Sequence, residues 1–353
     1  MAIIDDPSAY FQTTLYTGNG GTNAITNTGN SDLQPDWIWF KRRDGADNHI
    51  VFDVVRGVTK AIYPDLDNSE DTLSNSLSSF NSDGFTLGAD TASGGSINGS
   101  SETCVAWQWK AGTSVSGTTT GSGTGKAYTG SVNTDAGFSI IRYLGNSSAG
   151  HTIPHNLGAV PKMIIGHGLT GSDTTSWTVY HQSLGATKTV SLNERAAAST
   201  STVWNNTTPT SSVVSLGSSG NVNDNDDAFI LYSFAEKQGY SKISSYVGNG
   251  NADGTFVYTG FKPAWLMAFH TTAGNENWML VDNKRDGFNV ENEQLFPNTN
   301  IAEESNDEVD LLSNGFKLRR ANTRMNGSGA TYIFMAFAEN PFVASNFVTT
   351  TAR

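Results

Sequence analysis

The side chains best suited to chemistry in this chain are six histidines, one cysteine and two runs of carboxylates. His151 and His155 stand four apart, a spacing that on a helix would aim two imidazoles at one metal. Pro154 falls between them, and a proline removes a helical N–H and clashes with the preceding turn. The segment therefore reads as a strand entering a turn. His49, His167, His181 and His270 are scattered among strand ends and assemble no ligand set. Asn221-Val-Asn-Asp-Asn-Asp-Asp227 has the look of a calcium loop but lacks the following glycine and the closing bidentate glutamate, so it reads as a polar turn. Glu303, Glu304, Asp307, Glu308 and Asp310 read as a solvated acidic loop. Gly121-Ser-Gly-Thr-Gly-Lys126 imitates a phosphate loop, yet Thr120 replaces its first glycine and Ala127 its magnesium-binding hydroxyl. No catalytic, cofactor-binding or metal residue is assigned, no cofactor is expected, and the chain reads as non-enzymatic.

Composition narrows the class further. The 353 residues carry 21 Lys plus Arg against 33 Asp plus Glu, a balance of −12 that repels phosphate backbones and makes nucleic acid an unsuitable partner. Only 15% of residues are charged, and Gly, Asn, Ser and Thr fill the deficit, favouring turns and short strands. One cysteine allows no internal disulfide. No run approaches the ~18 apolar residues that span a bilayer, so membrane insertion is not expected. The opening Met1-Ala-Ile-Ile-Asp-Asp-Pro7 lacks a secretory pattern, which implies synthesis in a cytoplasm.

These residues are organised by a repeat. Phe11-Gln-Thr-Thr-Leu-Tyr-Thr-Gly-Asn19, Phe138-Ser-Ile-Ile-Arg-Tyr-Leu-Gly-Asn146 and Tyr240-Ser-Lys-Ile-Ser-Ser-Tyr-Val-Gly-Asn249 each end in Tyr-x-Gly-Asn. From Tyr16, Tyr143 and Tyr246 it is 19, 18 and 17 residues to Pro35, Pro161 and Pro263, and an apolar strand follows each proline. Each unit then closes on a hydrophobic strand, at Cys104-Val-Ala-Trp107, Leu231-Tyr-Ser-Phe234 and Phe334-Met-Ala-Phe337. Cys104 thus occupies an apolar position and is expected to be a small buried hydrophobe. The tyrosines are 127 and 103 residues apart, too far for a propeller blade or solenoid coil.

Short strands rich in Val, Ile, Phe, Tyr and Trp, divided by polar turns, predict an all-β chain of three tandem, related β-sandwich domains of jelly-roll-like form. The expected boundaries are 1–112, 137–239 and 240–343, with a Gly/Ser/Thr-rich linker or arm at 113–136 and a tail at 344–353. Short helical turns are expected at Glu194–Ala198 and Ile301–Glu304. Seven of the eight tryptophans sit in repeat-signature strands and read as core rather than as a sugar-stacking platform. Trp204 has no equivalent and is the candidate exposed aromatic.

The stretches Asp5-Asp-Pro-Ser-Ala-Tyr-Phe-Gln-Thr-Thr-Leu-Tyr-Thr-Gly-Asn-Gly20, Asp32-Leu-Gln-Pro-Asp-Trp-Ile-Trp-Phe-Lys41, Leu311-Leu-Ser-Asn-Gly-Phe-Lys317 and Tyr332-Ile-Phe-Met-Ala-Phe-Ala-Glu-Asn-Pro-Phe342 resemble a family of marine tailed-phage structural, tail-fibre-like proteins. The resemblance implies a virion structural protein on the particle exterior, a tail fibre or appendage component that mediates assembly and host attachment. The alternatives are a capsid decoration protein or a glycan-degrading enzyme on jelly-roll domains. Expected partners are other virion proteins and a host surface glycan or protein. A homo-oligomer, by analogy a trimer, is expected; three quasi-equivalent units could instead give one chain pseudo-threefold form. The ligand-binding residues are unknown from sequence.

Overall fold

The computed structural model describes residues 3–90, 95–171, 175–287 and 289–350. All strand pairs between its named strands are antiparallel, and the helical content is a 3₁₀ turn at Pro7–Ala9 and one turn, α1, at Gly220–Asn223. The first unit contains β1 (Phe11–Thr17), β2 (Asn23–Ile25), β3 (Trp37–Arg42), β4 (Ile50–Asp53), β5 (Lys60–Ala61), β6 (Asp71–Thr72), β7 (Leu77–Phe80), β8 (Phe85–Leu87) and β9 (Thr103–Trp109). An arm follows with β10 (Thr113–Thr118), β11 (Thr120–Gly121) and β12 (Ala127–Asn133). The second unit holds β13 (Phe138–Leu144), β14 (His151–Pro154), β15 (Met163–Gly168), β16 (Thr178–His181), β17 (Lys188–Ser191), β18 (Ser199–Thr200), β19 (Val213–Leu216) and β20 (Ala228–Phe234). The third holds β21 (Ser241–Val247), β22 (Phe256–Tyr258), β23 (Phe261–His270), β24 (Met279–Asp282), β25 (Glu291–Gln294), β26 (Glu304–Leu312), β27 (Gly315–Leu318) and β28 (Thr331–Pro341).

Each unit builds one inner sheet on the same plan: β1-β9-β3-β4, β13-β20-β15-β16 and β21-β28-β23-β24. The closing strand of each unit lies beside its first strand, and Trp109, Phe234 and Phe337 occupy the same register position. Outer sheets β2-β8-β7, β11-β14-β19 and β22-β27-β26-β25 cover one face of each inner sheet.

The Tyr-x-Gly-Asn signature ties the two sheets together at one end. Tyr16, Tyr143 and Tyr246 donate their hydroxyls to the carbonyls of Ile97, Val222 and Met325 at 2.7, 2.5 and 2.9 Å. The residue after each of those carbonyls is a fully buried asparagine, Asn98, Asn223 or Asn326. Its Oδ1 accepts from the backbone N–H of Asn19, Asn146 or Asn249, and its Nδ2 donates to two carbonyls. The glycine is set by close approach: a Cβ on Gly18, Gly145 or Gly248 would lie 2.2, 2.0 or 2.4 Å from a carbonyl oxygen.

Side chains alternate across each inner sheet. Ile38 and Phe40 face a core inside the first sandwich, Ile164 one inside the second, and Leu266 and Ala268 one inside the third. The opposite faces carry Trp37 and Trp39, Met163 and Ile165, and Trp265, Met267 and Phe269, and these belong to one central core to which all three units contribute. Each unit thus keeps a core inside its own sandwich and contributes to a shared central one, so the inner sheets are buried on both faces and the units pack as one body.

The body closes as a ring. Trp177 Nε1 of the second unit donates to Tyr63 O of the first, and Trp278 Nε1 of the third to Ser191 O of the second, both at 2.9 Å. The corresponding residue of the first unit is His49, whose Nε2 lies 3.1 Å from Phe296 O of the third. Trp39 Nε1 donates to His49 Nδ1 at 2.8 Å, so the imidazole proton sits on Nε2 and is donated to Phe296 O. A second set repeats likewise, from the N–H of Glu70, Ala198 and Glu303 to the carbonyls of Leu169, Thr271 and Arg43.

Two seams also hold buried charge. Arg56 and Asp53 form an ion pair with wholly buried side chains, flanked by Glu70, and Tyr232 of the second unit donates to Asp53 at 2.7 Å. Arg285, Asp282 and Glu303 repeat the arrangement in the third unit, with Trp107 of the first donating to Asp282 at 2.9 Å. The second unit carries His181, Leu184 and Ala198 instead, and the donor's place is taken by Met335, which offers none.

Of the linker and the arm that the composition of 113–136 allows, the segment forms a paired arm: β12 joins β13, β10 joins β12, and β11 joins β14. Two expectations change. Glu194–Ala198 and Ile301–Glu304 form no helix. The acidic cluster is not a solvated loop but largely strand β26, where Glu308 is buried against Asn322 and Glu303 is clamped by Arg43 and Arg285.

Candidate attachment surface

None of the residues singled out for chemistry forms a reactive set. Among the described residues no three His, Cys, Asp or Glu side chains are placed to hold a metal ion. His151 bonds Asn223 and Thr119, whereas His155 bonds Thr210 O and receives Leu157 N–H. His167 stacks on Trp177 at 4.4 Å between ring centroids, and burial pulls its pKa down to about 4. Cys104 lies in the first sandwich core, where burial pushes its thiol up to about 12, far from a reactive thiolate. Asn221–Asp227 begins within α1, and its Asn223 is the buried clamp described above. Of the first-unit turn that aligns with it, Gly94 to Gly99, Gly94 lies outside the described residues.

One buried charged residue of the first unit was not singled out by the sequence reading. Lys41 on β3 is fully buried at the position of His167 and Phe269. Its ammonium donates to Arg42 O at 2.5 Å and Gly45 O at 3.1 Å, and burial draws its pKa down to about 8 against the pull of Asp47 and Asp65. The half-buried Asp65 is pushed up to about 7, also by burial. With its amine enclosed by carbonyls, Lys41 holds the turn after β3.

The aromatic side chains fall into two groups. All eight tryptophans are buried, including Trp204, which packs on Tyr180 in the second sandwich and so is not the exposed aromatic expected. Exposed large apolar side chains occur singly at Leu15 and Val160 and in the tail at Phe347 and Val348, but the third unit has three: Val247 at the end of β21 is 55% exposed, and Phe256 and Tyr258 on β22 are 45% and 58% exposed. Two residues apart on one strand, Phe256 and Tyr258 project from the same outer face, while Val257 between them enters the sandwich. Lys317 lies opposite Phe256 and pairs with Asp253. Tyr258 also borders a cleft at the junction with the second unit, lined by Lys162, Lys237 and Lys242. By register the first unit has Ala24 and Thr26 at these positions, and the second has Thr152 and Pro154, with Thr152 paired to Thr120 of the arm. Sequence reading missed the pair because Gly-Thr-Phe-Val-Tyr-Thr-Gly reads as an ordinary half-buried strand; only the comparison of repeats exposes it.

Fold and surface together define a single-chain pseudo-trimer of β-sandwiches without disulfides, bearing one unit-specific aromatic strip. Residues 6–341 match one family model, described as a domain of unknown function (DUF7483), and the chain belongs to that family. That single match spans all three units. No curated protein matches the chain.

Proposed function

We propose that this protein is a non-enzymatic structural component of the exterior of a tailed-phage particle, an appendage that attaches to a surface through its third unit. The observation that carries the reading is the exposed Phe256–Tyr258 pair of the third unit, with Val247 beside it accepting from Thr255, where the other units carry Ala24 and Thr26 or Thr152 and Pro154; exposed apolar patches on soluble proteins mark interaction sites. The phage setting comes from the sequence resemblance, and a closed ring with a doubly buried core suits a durable exterior part. Gold-antibody labelling of purified virions, viewed by electron microscopy, tests it. Label at the tail or its tip is the expected result. Label over the head would make the protein a capsid decoration component, and unlabelled particles would overturn the virion reading and turn attention to glycan degradation. In labelled particles, Phe256→Ala/Tyr258→Ala is expected to lower host adsorption at least tenfold without displacing the label.

A further inference from the structure

The three units leave the same strand at the edge of the inner sheet, and the chain treats the three edges differently. On β1 the bonds Lys110 N–H to Tyr10 O and Gly18 N–H to Glu102 O fix the ladder's phase. Residues 12, 14 and 16 face β9, so Phe11, Thr13 and Leu15 turn their N–H and C=O groups outward. The same phase on β21, set by Ala338 N–H to Tyr240 O and Gly248 N–H to Ala330 O, turns Ile243 and Ser245 outward. Unpaired edge groups are templates for another strand unless something covers them.

In the second unit the cover is the arm: β12 runs along β13, with Ser131 opposite Ile140 and Thr129 opposite Arg142. In the third unit two side chains of the second clasp the edge, Glu236 accepting from Ile243 N–H at 2.6 Å and Gln182 donating to Ile243 O. In the first unit the corresponding residues are Glu339 and Asn283 of the third, and neither bonds β1. Glu339 pairs with Lys262, while Asn283 Oδ1 and Thr13 Oγ1 are both buried with no hydrogen-bond partner. Thr13 is only 7% exposed, and Leu15, next along the edge, leaves 37% of its surface open. A cleft of about 310 Å³ is lined by Thr13 and Asn283 and walled by Gly29 and Asn30 of the first unit and Lys284 and Glu339 of the third; Leu15 lies beyond its lining, further along the same edge.

We propose that this cleft accepts an extended Gly/Ser/Thr-rich strand of a partner protein, added antiparallel to β1 as β12 is added to β13. The arm supplies the template for the occupant's chemistry. Gly130 is required in β12 because a Cβ there would lie 2.4 Å from Ile140 O and 2.5 Å from Ile141 Cδ1, so a small residue must cross at that level. Backbone groups of the incoming strand pair with Thr13 and Leu15, and one of its donors satisfies Asn283 Oδ1. This inference does not rest on the proposed virion role.

The test uses the full chain and the blocked heptapeptide Ala-Tyr-Thr-Gly-Ser-Val-Asn, the sequence of residues 127–133, carrying a fluorophore. Saturable binding below about 1 mM is expected, with slowed hydrogen exchange at Thr13 and Leu15. Thr13→Pro removes an outward N–H and the unpartnered Thr13 hydroxyl while leaving the ladder to β9 intact, a change tolerated on edge strands, and is expected to weaken binding at least tenfold. Ser245→Pro, on the edge of β21, is expected to leave it unchanged. Absence of saturation, protection at β21 instead of β1, or equal loss in both variants would overturn the proposal. The exchange measurement on the parent protein decides the matter even if Thr13→Pro fails to fold.

Discussion

Burial makes His181 a proton sensor of the seam between the second and third units. It stands where the other units carry Asp53 and Asp282, its Nδ1 accepts from Ser183 N–H, and its Nε2 donates to Phe334 O at 3.3 Å. Burial pulls its pKa down to about 4, with the Phe334 bond opposing. Above pH ~6.5 both folded and unfolded imidazoles are neutral, so nothing is lost there. As pH falls from ~6.5 toward 4 the unfolded chain takes up a proton that the folded seam refuses, and stability falls by at most about 1.4 kcal/mol per pH unit for one such group. His167 adds a share of the same sign. Urea midpoints are expected to drop between pH 6.5 and 4.5, and to drop less steeply in His181→Gln, whose amide still donates to Phe334 O. A His181→Gln profile parallel to the parent's would place the acid sensitivity elsewhere. Legibility at this scale was uneven. Tyr-x-Gly-Asn stands out in sequence because three residues are fixed within four positions, whereas its partners Asn98, Asn223 and Asn326 lie 77 to 79 residues from the asparagines they bind, marked by nothing except a preceding apolar residue.

At the scale of elements, the informative signal was a missing alternation. Trp37-Ile-Trp-Phe40, Met163-Ile-Ile165 and Trp265-Leu-Met-Ala-Phe269 are continuous apolar runs, the mark of strands buried on both faces, and that burial is the central core. The all-β class and repeat pattern follow from strand composition, but the seams cannot, because the donors to their buried carboxylates, Tyr232 and Trp107, come from a neighbouring unit. Within this one chain the seam position exists in two chemistries: Asp–Arg–Glu with a Tyr or Trp donor, and His–Leu–Ala with Met335. Arg56→Leu alone leaves Asp53 buried and unpaired and is expected to cost about 3–5 kcal/mol. Asp53→His/Arg56→Leu/Glu70→Ala/Tyr232→Met copies the second unit's chemistry into the first, and its urea midpoint is expected to lie well above that of Arg56→Leu. A combined variant less stable than the single one would show that the two chemistries do not exchange.

For the whole molecule, the ring makes each unit dependent on its neighbours. The third unit cut out as residues 240–343 would expose the face of Trp265, Met267, Phe269, Trp278, Met335 and Phe337, all buried in the intact chain. An exposed apolar face of that kind is covered by association. Three copies could rebuild a ring, but each seam would then join Asp282–Arg285 to Met335 of the next copy, with no donor where Trp107 stood. The isolated unit is therefore expected to associate or aggregate, and a Met335→Trp version, which restores the donor, to shift toward a discrete trimer in light scattering. The intact chain is expected to remain a ~38 kDa particle independent of concentration, since its threefold form is already complete within one chain. A soluble, monomeric 240–343 fragment with a cooperative melting transition would refute this dependence and restore the picture of three self-sufficient sandwiches.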